Sequence, residues 1–228
     1  MVIKFENITK KFGPNITAVA DVDLEIQSGE FVFIVGPSGA GKSTLLRLLA
    51  KEYNPSSGTI LVEGTDLTKL KPKQIVLYRR KVGFVFQDFK LLDDRTVFEN
   101  VALSLEVRGM EEKAIHKEVE RILKLVEIWE RRNLFPNQLS GGEAQRTAIA
   151  RAMIGKPDLL LADEPTGDLD PQTSWGVIQL LNEINSWGTT IIMATHNAEI
   201  VNTLKRRVIS VKHGKVVKDS KEGKYEIH

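Results

Sequence analysis

The chain has 228 residues, of which 42% are hydrophobic and 27% charged, with a formal net charge of +2. That length fits one sizeable folded domain, and the composition excludes a disordered chain or a fibre. The near-neutral balance carries no whole-molecule field for nucleic acid, and the absence of cysteine rules out disulfides and thiolate metal sites.

The N-terminal MVIKFENITKKFG alternates apolar and polar residues and lacks the apolar core of a secretory signal. Val2–Phe5 and Val22–Ile26 read as short strands. Phe31–Val35 is apolar throughout, rich in β-branched and aromatic residues and followed by glycine, which predicts a buried strand. Thr44–Lys51 reads as a helix, closed by Asn54-Pro55 and Ser57-Gly58. Thr59–Val62 and Val82–Phe86 add further strands. Ile115, Val119, Ile122, Leu123 and Val126 then recur at helical spacing, with Lys and Glu on the other face. A second helix is predicted from about Glu143 to Ile154, stopped by Gly155 and Pro157. Strand signals return at Leu159–Ala162 and Ile191–Ala194, with a helical run near Trp175–Ile184 between them. Strands alternating with helices predict a parallel α/β sheet, and the helical middle reads as an insertion into its order. The Lys-rich end after Lys212 reads as a solvated tail. No apolar run approaches the roughly 20 residues that cross a bilayer, so any membrane role must come through a partner.

Two places carry phosphate chemistry. Gly36-Pro37-Ser38-Gly39-Ala40-Gly41-Lys42-Ser43-Thr44 matches G-x-x-x-x-G-K-[ST] directly after a predicted strand and before a predicted helix. Glycines let successive N–H groups curl around phosphates, and the helix N-terminus adds partial positive charge. Lys42 can reach the terminal phosphates of a nucleotide, and the Ser43 hydroxyl can ligand Mg²⁺. The second place ends the apolar strand Leu159–Ala162, where Asp163 stands as the carboxylate for that metal. Glu164 follows it, and since adjacent residues leaving a strand point differently, it can face a water and serve as a general base.

Leu139-Ser140-Gly141-Gly142-Glu143 has a local role as a capping box, with Ser140 as N-cap and Glu143 three residues on. A glycine-flanked helix start is also an anion site. The segment resembles the signature of the ABC ATPases, with Glu in place of the usual Gln at its fifth position. Other motifs of that family follow in order. Gln87 resembles the Q-loop glutamine that senses the metal and the attacking water. Gly167-Asp168-Leu169-Asp170 resembles the D-loop, and His196 the switch histidine. Phe12 takes the place of the aromatic that stacks on adenine, usually Tyr.

The resemblance spans essentially the whole chain and implies a P-loop NTPase core of the RecA-like kind. That core would occupy about residues 1–86 and 157–228, with an N-terminal antiparallel β subdomain and an α-helical subdomain inserted at about 87–156. It implies ATP as substrate, Mg²⁺ as cofactor, and a homodimer when ATP is bound. Ser140, Gly141, Gly142, Glu143 and Asp170 would then serve the other copy's nucleotide. Glu164, His196 and Lys42 would be catalytic, and Ser43, Gln87 and Asp163 would hold the metal. Phe86-Gln87-Asp88 with Leu91-Leu92, the run Asp94–Val101, Phe135-Pro136 and Leu161–Gly167 resemble most closely the FtsE-type ATPases of bacterial cell division. The resemblance therefore implies a peripheral protein at the cytoplasmic face of the membrane. Its integral partner would resemble FtsX and pass motion to peptidoglycan hydrolases. ATPases of lipoprotein and macrolide exporters share every catalytic motif and form the alternative. Ala144 and Asp93 depart from the family pattern, and neither removes a catalytic group. A nucleic-acid role is not expected, because the long coiled coil or second cassette of such relatives is missing.

Overall fold

The computed structural model describes residues 1–223 and 225. β1 (Ile3–Phe12) and β2 (Ile16–Ile26) open the chain as an antiparallel pair. Both are longer than the sequence pattern suggests: the outer half of β1 is mostly polar, and the outer half of β2 is mostly apolar but largely exposed or half-buried. β3 (Phe31–Val35) is buried along its whole length. A strand covered on both faces has no solvent side, which explains an unbroken apolar run. Its side chains still divide: Phe31, Phe33 and Val35 enter one apolar layer, Val32 and Ile34 the other.

The phosphate loop leads into α1 (Lys42–Leu49), whose Leu45, Leu46, Leu48 and Leu49 are buried. β4 (Ser57–Val62) and β5 (Thr65–Asp66) complete a four-stranded antiparallel sheet in the order β2-β1-β4-β5. α2 (Pro72–Arg79) buries only Tyr78 and shows almost no amphipathic pattern, so periodicity does not announce it. β6 (Val82–Val85) then joins the second sheet.

Three α-helices separate β6 from its neighbour β7 (Leu159–Asp163) among the described residues. α3 (Val97–Glu106) begins with a full capping box: the Thr96 hydroxyl accepts from the Glu99 N–H, and the Glu99 carboxylate accepts from the Thr96 N–H. α4 (Glu112–Leu125) buries Ile115, Val119, Ile122 and Leu123 as its spacing predicts. α5 (Gly141–Met153) packs against α3 and α4. The chain continues through α6 (Pro171–Ser186), β8 (Thr190–Thr195) and α7 (Ala198–Leu204) to β9 (Arg207–Lys212) and β10 (Lys215–Ser220). The second sheet has the order β10-β9-β3-β8-β7-β6 and is parallel except for the β9–β10 pair. One face carries the helices α3 to α7; the other carries α1 and the antiparallel sheet.

The solvated tail expected after Lys212 is corrected by β10 as far as Ser220, and residues 224 and 226–228 of that expectation lie outside the described residues. His213 and Gly214 both have positive φ, 50° and 77°, as a two-residue hairpin turn demands. Lys212 pairs with Lys215 across it, and the Arg207 guanidinium grips both Asp219 oxygens at 2.9 and 2.7 Å. Lys215 and Lys218 of β10 instead protect an exposed sheet edge.

Candidate functional site

The phosphate loop is shaped by two close approaches of backbone. At Gly36 (φ 151°) a Cβ would lie 2.1 Å from the Val211 carbonyl oxygen, and at Gly41 (φ 107°) 2.4 Å from that of Ala18. Neither contact tolerates a side chain, so the loop is pinned between β9 and β2. Lys42 is buried, and its ammonium donates to the carbonyls of Gly36 (3.0 Å) and Pro37 (3.2 Å). It thereby lies along the inside of the loop, where phosphate oxygens would be met.

Parallel pairing places the end of β7 beside the end of β8, with Asp163 opposite Ala194. Glu164 leaves β7 in the left-handed region (φ 48°), its N–H donating to the Ala194 carbonyl at 2.9 Å. This turn separates two adjacent carboxylates. Asp163 faces back to α1 and accepts the Ser43 hydroxyl at 2.8 Å. Glu164 faces the cleft, 3.6 Å from the Lys42 ammonium and 3.0 Å from Nδ1 of His196. The His196 N–H also points to its carboxylate, at 3.3 Å. A cleft of about 830 Å³ is lined by Gly36, Pro37, Ser38, Lys42, Gln87, Glu164 and His196, and also by Lys212, Lys218 and Tyr225.

Burial pushes the Asp163 carboxyl above its usual range, opposed by the Ser43 hydroxyl and the charges of Arg47 and Lys42. A carboxylate raised on folding lowers stability as pH climbs from its unfolded value through its folded one. Without ligand, the ionised Asp163 is therefore a local liability at neutral pH. Asp163→Asn is expected to raise the thermal midpoint of the ligand-free protein at pH 7, with the gain vanishing in acid; a lowered midpoint would contradict this.

The remaining sequence candidates lie elsewhere. Phe12 ends β1 at 37% exposure, edge-on to Tyr53 at 5.2 Å, with the Lys10 ammonium 5.0 Å from its ring centre. Tyr53 and Lys10 escaped the sequence reading, since only folding brings β1 beside the end of α1. Ser140 caps α5 through a complete box, and Glu143 accepts its N–H at 2.8 Å and its hydroxyl at 2.9 Å. Gly141 and Gly142 form the first turn, and a Cβ on Gly142 would meet Thr173 at 2.5 Å. Asp170 caps α6, accepting the Thr173 N–H at 3.0 Å. Ser140, Gly142 and Glu143 line a different cleft, of about 700 Å³. Within one chain the structure does not bring Ser140 to Lys42. Ala144 is buried.

The ABC transporter family profile matches residues 19–167. The chain is 50% identical over 224 residues to the cell division ATP-binding protein FtsE of Bacillus subtilis, with 98% of each chain covered. It is 44% identical over 226 residues to the methionine import ATP-binding protein MetN of Haemophilus influenzae, covering 97% of this chain and 66% of that one. Among solved structures it resembles the dimeric ATP-binding cassette MJ0796, in a post-hydrolysis state bound to ADP and Pi. That match has a TM-score of 0.90 and 37% identity, over 98% of this chain and all of the other.

Proposed function

The chain belongs to the ABC transporter family as an ATPase of the FtsE type, and we propose that two copies close around two ATP molecules to drive a membrane partner in bacterial cell division. The observation that carries the hydrolytic reading is Glu164, held between Lys42 and His196 at the rim of the phosphate loop. Near full-length identity to a cell-division ATP-binding protein supports the biological assignment.

In this reading the N–H groups of residues 36–44 bind the phosphates, and Lys42 exchanges its carbonyl partners for phosphate oxygens. Phe12 stacks on the base, beside Tyr53. Among the described residues no three His, Asp or Glu side chains converge on a common point. A site of one carboxylate and one hydroxyl suits Mg²⁺, which keeps waters and takes phosphate oxygens. Ser43 and Asp163 would hold it, with Gln87 across the cleft, and it would neutralise charge on the phosphates. Glu164 takes the proton of the attacking water, while Lys42 and His196 stabilise charge on the transferring group. Ser140, Gly141, Gly142 and Asp170 complete the other copy's site, with Glu143 there as the carboxylate that caps α5.

Residues of about 87–156 act as a helical lobe on a core of about 1–86 and 157–228, with the Gln87–Val101 segment passing motion outward. Among the described residues no helix is long and apolar enough to cross a membrane. Attachment to the cytoplasmic face would run through an FtsX-like protein that signals to peptidoglycan hydrolases. Depletion of the chain tests this: we expect filamentous cells and co-purification with an FtsX-like membrane protein. Normal division with lost methionine uptake, or with failed lipoprotein or macrolide export, would assign the motor to a transporter instead.

A further inference from the structure

The cleft beside Ser140 has an electrostatic problem and a visible answer to it. If a phosphate from a second copy enters there, it meets two carboxylates, Glu127 and Glu143. Glu143 is the graver obstacle, because its oxygen already occupies the Ser140 N–H and hydroxyl, the donors a phosphate needs. Like charges brought together at an interface oppose association by several-fold to many-fold. Yet each carboxylate has its own arginine. Arg131 reaches the free oxygen of Glu143 at 2.6 Å, and Arg146 reaches Glu127 at 3.1 Å. Arg131 sits on a single helical turn (Trp129–Arg131) outside α5, so local helix geometry does not require the contact.

We propose that Arg131 is a positioning residue of the shared site: it holds the outer oxygen of Glu143 and neutralises its charge, so that phosphate can displace the inner oxygen from Ser140 at the start of α5. The inference rests on the two-copy reading above. It also accounts for the charged residue at the fifth position of the signature, which this chain can carry because the cation is supplied from residue 131. As a half-exposed surface pair, Arg131–Glu143 adds little to the stability of a single chain. Its effect belongs to the closed dimer, where both charges and the phosphate lose water.

The test uses full-length protein carrying Glu164→Gln, and reads the dissociation constant of the Mg-ATP dimer by sedimentation. Arg131→Gln is expected to weaken the dimer about tenfold without lowering the thermal midpoint of the ligand-free chain. Adding Glu143→Gln to Arg131→Gln is expected to restore dimerisation to within about threefold, because the charge needing compensation is gone. Arg131→Lys keeps the charge and retains most of the affinity. An unchanged dimer in Arg131→Gln, or a loss that Glu143→Gln does not repair, would overturn the proposal. Ser140→Arg separates the two levels. If that variant dimerises normally, the shared site itself is wrong. If it fails to dimerise while Arg131→Gln behaves as wild type, only the role of Arg131 is wrong.

Discussion

Replacing Glu164 with glutamine is expected to lower ATP hydrolysis by about a thousandfold while ATP binding persists. Glutamine has nearly the shape of glutamate and tolerates the same turn, where φ is 48°. Its amide oxygen still accepts the His196 N–H, which the carboxylate meets at 3.3 Å. What disappears is the capacity to take a proton from water and the ion pair with Lys42 at 3.6 Å. Lys42 keeps its two carbonyl partners until phosphate replaces them, so the loop stays formed. The protein should then accumulate as an ATP-bound dimer, since in the proposed cycle the dimer opens after hydrolysis. Phosphate release and size-exclusion chromatography with Mg-ATP measure both halves. Turnover within tenfold of the wild type would remove Glu164 from its role as base.

The second large effect is in trans. Ser140→Arg puts a bulky cation at the start of α5, where the helix dipole already repels positive charge, and removes a cap that contributes about 1 kcal/mol. The fold survives such a loss, but the place for the partner's phosphate does not. Hydrolysis is expected to fall by at least about a hundredfold, the scale seen when one oriented donor is removed. Lys42→Ala should be equally inactive, for a different reason. Mixing the two inactive proteins rebuilds one intact site in each mixed dimer, from the loop of one chain and the α5 start of the other. With random pairing and independent sites, about a quarter of the wild-type rate returns. No recovery, or full activity of Ser140→Arg alone, would show that each chain hydrolyses by itself.

Much of the chemistry was readable before folding, and the exceptions share a cause. α4 and the buried strands declared themselves because apolar periodicity is a direct image of one-sided or two-sided burial. α2 escaped because it buries one residue and leaves Val76 and Leu77 exposed, so no face is marked. α3 is legible in its start alone: Thr96-Val97-Phe98-Glu99 is a capping-box pattern that opens a helix. β10 was mistaken for a tail because an edge strand rich in lysine has the composition of one.

The same division runs through the site. The phosphate loop is a local object: consecutive N–H groups, a helix start and a lysine on its first turn, all within nine residues. The sequence alone therefore determined that this chain binds phosphate, and it marked Asp163 and Glu164 as the acidic pair. Only the tertiary structure decided how these parts meet. The β7–β8 register put His196 against Glu164, 32 residues away, and α1 packed Ser43 against Asp163 across 120 residues. It also decided that Ser140 lines a cleft separate from that of the phosphate loop in the same chain. Local backbone conformation follows from neighbours in sequence, whereas convergence of side chains follows from strand order and packing, which no short motif encodes.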